Sequence, residues 1–210
     1  MTVTRPPGGQ SGCVAWTSAG RPRPGESESG DLAVHLELDD GVVVAVVDGL
    51  GHGPEAAAAA AGARDVIEAT AAAAPLDEVL RQVHEALART RGVVMTIASI
   101  GCSGLMRWVG VGNVEAHVMR GDGPVPRRAA SAVLYGGVLG YRLPGVKVST
   151  VELEPGDLVL MATDGIDPDF ADMVPRADTD EELTARLVER CARPHDDALV
   201  AAARYRGPSS

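Results

Sequence analysis

Four aspartates stand at strand borders beside glycine or another small or turn-forming neighbour: Asp31 in SGD, Asp48 in VVDGLGHG, Asp164 in MATDGI and Asp196 in HDDALV. Asp48 and Asp164 share one pattern, an apolar run that ends in Asp-Gly. If those strand ends converge, the carboxylates repel one another at low dielectric, and protons or a cation must compensate. An all-oxygen donor set favours Mg2+ or Mn2+ over zinc. Two such ions about 3.5–4 Å apart can bridge and acidify a water and stabilise an in-line displacement at phosphorus. The chemistry implied is hydrolysis of a phosphate ester without a covalent enzyme intermediate. One Asp-Gly after a strand is ordinarily a turn. The repeated context, with Asp31 and Asp196 added, is what points to a metal.

The glycines around Asp48 fit that reading. Without a Cβ, Gly49 lets the backbone approach a cation and offer its carbonyl, and Gly51 and Gly53 permit φ values that other residues avoid. His52 is a candidate proton donor to the leaving group, because histidine titrates near neutrality, although it also sits where a helix begins and can cap or pack there. His35 and His84 are placed on an exposed strand face and a helix, and His117 on a strand; none has ligand spacing. Asp39, Asp40, Asp167, Asp169 and Asp172 read as turn or surface carboxylates, with one of the last three a candidate for holding an outer-shell water.

These side chains need elements to hold them. LAVHLEL (32–38) alternates, DDG is a turn, and VVVAVV (42–47) is continuously apolar, which predicts a hairpin whose second strand is buried on both faces. Pro54 suits the first turn of a helix that runs through the alanines to about Ala74. In PLDEVLRQVHEALART, Leu76, Val79, Leu80, Val83 and Leu87 share one helical face. From Val93 the period changes to short β-rich runs, VVMTIASI, LMRWVGV, NVEAHVM, VKVSTVEL and DLVLMAT, expected as an antiparallel meander. A helix in DEELTARLVERC and a strand in DALVAAARY close the chain. Strands in runs and helices in runs indicate an α+β layered domain.

The chain of 210 residues suits one core. We expect a single domain over 13–205 between a flexible segment, 1–12, and a flexible tail, 206–210. Its formal charge of −10 disfavours nucleic acid and anionic membrane surfaces as partners. No apolar stretch approaches the ~20 residues of a membrane span, and no apolar leader opens the sequence. Cys13, Cys102 and Cys191 are scattered and odd in number, which reads as reduced thiols in a cytoplasmic protein, with neither a disulfide framework nor a zinc site.

With these motifs in place, the sequence resembles the PPM metal-dependent serine/threonine protein phosphatases of the sporulation stage II E type. It is most similar to the small RsbX-like phosphatases of stressosome and stress-sigma-factor pathways. The resemblance runs through RPRPGESESGD, VVVAVVDGLGHGPEAA, RGVVMTIASI, WVGVGNVEAHVMR, GGVLGYRLP, PGDLVLMATDGI and DDALVAAARY in order, roughly residues 13 to 205. It implies a four-layer α-β-β-α sandwich with two central, mainly antiparallel sheets and two Mn2+ or Mg2+ ions at one edge. Asp48 would bridge the metals, Gly49 would give its backbone carbonyl, Asp164 and Asp196 would complete one shell, and Asp31 would act nearby through water. The implied substrate is a phosphoserine or phosphothreonine on a STAS-domain regulator whose phosphorylation controls partner switching by an anti-sigma kinase. In the eukaryotic branch a His follows the bridging Asp by two residues and an Arg precedes the first acidic ligand by five; here Leu50 and Glu26 stand there. The general acid and the phosphate-gripping cation must therefore come from elsewhere. Arg21 and Arg23 are candidates for the cation, since guanidinium matches phosphate oxygens bidentately. Two other readings are a pseudophosphatase that serves as a protein-binding module, and a histidine-kinase-type ATPase, which DGLGHG superficially suggests.

Overall fold

The computed structural model describes residues 9–121, 126–174 and 179–208. In chain order the elements are β1 (Gly9–Ser11), β2 (Val14–Arg21), β3 (Asp31–Leu38), β4 (Gly41–Gly49), α1 (Pro54–Thr70), α2 (Leu76–Ala86), β5 (Val93–Gly101), β6 (Leu105–Val111), β7 (Glu115–Arg120), β8 (Arg127–Ser131), β9 (Leu134–Tyr135), β10 (Ser149–Glu152), β11 (Leu158–Ala162), a 3-10 helix (Pro168–Met173), α3 (Asp180–Cys191) and β12 (Ala198–Tyr205).

Two sheets face each other. One has the order β1-β2-β12-β11-β7-β8; the other has β10-β6-β5-β4-β3, with β9 parallel to β6. The side chains of β4 show why the sheets stack. Val42, Val44 and Val46 enter the core between the sheets, while Val43, Ala45 and Val47 enter a second core beneath α1 and α2. This is the period-two alternation of a strand covered on both sides, as the apolar run predicts. A third core seats α3 and Phe170 on the outer face of the first sheet. The layers are α-β-β-α, the expected α+β sandwich with mainly antiparallel sheets.

Five expectations need correction. The meander does not exist as such, because β6 and β7 lie in different sheets and β11 inserts between β7 and β12; strand spacing reports a strand, not the sheet it joins. Strand β2 was not anticipated. Its sequence, VAWTSAGR, alternates weakly, yet it pairs with β12 along its whole length. His35 is not on an exposed face but half-buried and stacked on Trp16, ring centroids 3.8 Å apart, and burial lowers its pKa to about 4. Finally, Cys13 and Cys102 are not reduced thiols; they form a disulfide across 89 residues, leaving buried Cys191 as the free cysteine among the described residues. No local spacing marks that pairing, because the turn after β5 meets the start of β2 only through the stacking of the sheets. Helix α1 ends at Thr70, short of the expected Ala74.

Among the described residues no helix is long and apolar enough to cross a membrane. Part of the expected N-terminal segment and the end of the expected tail lie outside the described residues. Gly9–Ser11 pair with Val14–Trp16.

Candidate active site

The functional candidates gather where strands of both sheets end. Asp31 opens β3 and is the cross-strand partner of Asp48 near the end of β4. Asp164 follows β11 by two residues, and Asp196 precedes β12 by two. Between β6 and β7 the chain passes from one sheet to the other through Gly112, Asn113 and Val114, which brings Asn113 to the same end. A cleft of about 560 Å3 results, lined by Asp48, Asp164 and Asp196 together with Arg23, His52 and Asn113 among others. A larger cleft of about 660 Å3 lies elsewhere, beside the turn between α1 and α2, and collects no such set of carboxylates.

Glycine makes the approach of these elements possible. A Cβ on Gly165 would stand 1.7 Å from the carbonyl oxygen of Asp197, so the Asp-Gly after β11 is where the chain entering β12 presses against it. A Cβ on Gly49 would meet the carbonyl oxygen of Ala56 at 2.2 Å. Close seating of α1 is thus a second reason for glycine there, beside the carbonyl exposure expected from the sequence. Gly51 and Gly53 adopt φ of 96° and 74°, the left-handed region anticipated for them.

The carboxylates disturb one another as the sequence implies. Burial first, then the charges of Asp164, Asp196 and Asp197, push Asp48 up to about 7. Burial and Asp164 also raise Asp196. Asp31 is raised well above the ordinary carboxylate range by burial and by Asp48, even though its Oδ2 accepts a 2.7 Å hydrogen bond from the Thr163 hydroxyl. It lines a separate lateral cavity of about 330 Å3 rather than the cleft. Among the described residues no three His, Cys, Asp or Glu side chains close into a ready-made metal cage. Asp48, Asp164 and Asp196 instead share an open cleft in which a divalent cation would relieve their repulsion, so the donor set fits Mg2+ or Mn2+.

The remaining candidates separate. Arg21 is buried and spends its guanidinium on the carbonyl oxygens of Arg193, at 2.5 Å, and Asp196, at 3.3 Å. It supports the loop that carries Asp196. Arg23 lines the cleft and its charge works against the rise of Asp196. His52 lines the cleft too, with Nδ1 2.7 Å from Glu26 Oε1. His84 and His117 are structural, as expected: His84 Nδ1 accepts from the Gly140 amide, and His117 bonds Ser131 and Glu115. Asp167 caps the 3-10 helix and Asp172 pairs with Arg128, so neither is engaged at the cleft.

Three contributors were not read from the sequence. Asn113 donates from Nδ2 to Asp164 Oδ2 at 2.8 Å. Asp197, buried, accepts from the amides of Arg23 at 2.6 Å and Gly30 at 2.8 Å, tying the connector 22–30 to the start of β12. His195 lines the cleft beside Asp196. Of these, only Asp197 carried a signal, as the neighbour of Asp196 in HDDALV.

A family model for stage II sporulation protein E (SpoIIE) matches residues 38–206 of this arrangement. The chain belongs to the SpoIIE family. A structure described with the bacterial stressosome, a modular system adapted to control secondary messenger signalling, is 30% identical with a TM-score of 0.78, over 91% of this chain and 98% of that one. RsbX in complex with magnesium is 21% identical with a TM-score of 0.83, over 97% and 100%. The PP2C phosphatase domain of SpoIIE from Bacillus subtilis, with a fragment of its regulatory domain, is 20% identical with a TM-score of 0.70, over 92% and 64%. No curated protein sequence matches the chain. As a SpoIIE-family member of PPM fold, the protein is a metal-dependent protein serine/threonine phosphatase. The connector bearing Arg23 and Glu26, and Asp31 after it, precede the residues that the family model matches.

Proposed function

We infer that this phosphatase removes phosphate from serine or threonine of a STAS-domain regulator in a partner-switching stress or sigma-factor pathway. Two Mn2+ or Mg2+ ions would be held by Asp48, Asp164, Asp196 and the Gly49 carbonyl, with Asp31 nearby, and would supply charge neutralisation at phosphorus and a water of lowered pKa. The observation that carries the metal-dependent part of the reading is the gathering of Asp48, Asp164 and Asp196 on one cleft, where burial and neighbouring charge push Asp48 up. Carboxylates are kept in mutual repulsion at one cleft, where a cation makes the arrangement favourable. Arg23 grips the phosphate oxygens, Asn113 holds Asp164, and Arg21 with Asp197 fixes the loop and connector around them. The partner readings of the sequence, no nucleic acid and no membrane, accompany the acidic charge of −10.

The substrate assignment is tested by giving the Mn2+-supplemented protein a phosphorylated STAS-domain protein and measuring released phosphate. Release that stops with Asp48→Asn supports it. Hydrolysis of small aryl phosphates with none from the STAS protein moves the substrate to another class of regulator. A cytoplasmic setting is part of this reading, and the Cys13–Cys102 bond bears on it, since disulfides are rare in a reducing cytosol. Thiol counting on protein trapped directly from cells decides between the two: one free thiol indicates the bonded form, three the reduced one.

A further inference from the structure

In this chain Glu26 turns to His52: its Oε1 lies 2.7 Å from Nδ1. A carboxylate can only accept, so Nδ1 carries the proton toward Glu26, which leaves Nε2 as the unengaged ring nitrogen of a residue that lines the cleft. The pair is held from both sides. Glu26 is half-buried, sits in a turn closed by its amide to the Arg23 carbonyl at 3.0 Å, and packs its other oxygen against Gly53, where an added Cβ would stand 3.0 Å away. Across the loop, Arg91 pairs with Glu55 and closes over Gly51, where an added Cβ would stand 2.7 Å from its guanidinium. Left-handed Gly51 and Gly53 thus flank one histidine, oriented by one carboxylate, in the lining of the cleft that Asp164 and Asp196 also line.

We propose that Glu26 and His52 form an acid dyad in which His52 protonates the leaving alcohol and Glu26 is its positioning residue. As water adds to phosphorus, the bond from phosphorus to the ester oxygen breaks and its electron pair goes to that oxygen. The proton on His52 Nε2 passes to the same oxygen, releasing serine or threonine as the neutral alcohol. His52 is left neutral with Nδ1–H still donated to Glu26, and it recovers its Nε2 proton from solvent. The carboxylate fixes the tautomer and holds the ring in place. This inference rests on the phosphatase reading above.

The test compares leaving groups. Wild type, His52→Gln, Glu26→Gln and Glu26→Ala, each with saturating Mn2+, are assayed on p-nitrophenyl phosphate, whose phenolate departs unaided, and on a phosphoserine peptide, whose alkoxide does not. His52→Gln should lower kcat on the peptide by about 100-fold or more with KM little changed, and on p-nitrophenyl phosphate by only about threefold. Glu26→Ala should show the same split at about tenfold, and Glu26→Gln less, because its amide oxygen still accepts from Nδ1–H. Independently of metal and turnover, 15N spectra of the imidazole in the metal-free protein should show Nδ1 protonated in wild type and a mixture of tautomers in Glu26→Ala. Equal losses on both substrates, or a bare Nδ1 in wild type, would overturn the dyad. A wild type inactive on both substrates would remove the phosphatase reading, and the dyad's role with it.

Discussion

Arg21 and Arg23 leave the same strand end and meet different fates. Arg21→Ala would strip hydrogen bonds from the carbonyls of Arg193 and Asp196 in a buried setting, so we expect a loss of about 2–3 kcal/mol in stability, visible in urea denaturation. Arg23→Ala should leave stability nearly unchanged and raise KM for phosphorylated substrates by about tenfold, since a phosphate contact at a cleft is lost. The reverse assignment of the two effects would refute the partition. Asp48 makes a second prediction. Its pKa is about 7 folded against an ordinary 3.8, so between those values the folded state holds a proton that the unfolded chain has released. Stability from this group is complete below about pH 4 and is lost as pH rises through 7. The melting temperature of the metal-free protein should therefore fall across that window relative to Asp48→Asn, and Mn2+ should restore more of it at higher pH. Parallel curves for the two proteins would contradict this account.

At the scale of elements, the site depends on how closely β11 and β12 meet. Gly165→Ala would drive a methyl into the Asp197 carbonyl oxygen, 1.7 Å away, and should cost several kcal/mol while displacing both Asp164 and Asp196. A folded Gly165→Ala protein with unaltered metal affinity would show that the two strand ends are not coupled. The elements that were legible in the sequence are those with strong periodicity: the β3–β4 hairpin, α2 with its apolar face, α3 and β12. Each is dictated locally. What escaped was non-local. Strand β2 has little pattern of its own and is a strand because β12 pairs with it. The passage of the chain between sheets at 112–114, which delivers Asn113 to Asp164, follows from layer packing that no spacing records. The loop after Asp164, DPDFADMVPRADTD, had no element assigned to it from the sequence. Its residues 175–178 lie outside the described residues, and the 3-10 helix before them buries Phe170 in the core beneath α3.

Across the whole molecule, the sequence indicated the site through residue type: carboxylates that ought to be unfavourable together, each at the end of an apolar strand. The structure brings Asp48, Asp164 and Asp196 to one cleft, and puts Asp31 behind Asp48 on a separate cavity. It also joins the sheets by the Cys13–Cys102 bond, which closes a loop of 89 residues. Reduction should lower stability by about 4.6 kcal/mol on chain-entropy grounds, and Cys13→Ser with Cys102→Ser should reproduce that loss without changing metal affinity. No change in the melting temperature on reduction would show that the bond contributes nothing to the fold.

The most direct test of the central claim is hydrolysis of p-nitrophenyl phosphate by protein stripped with EDTA, followed while Mn2+ is titrated in, beside Asp164→Asn. The account predicts activity that is absent without metal, rises and saturates with Mn2+, and is lost in the folded Asp164→Asn variant. Hydrolysis that persists without metal, or that survives in the variant, would contradict it.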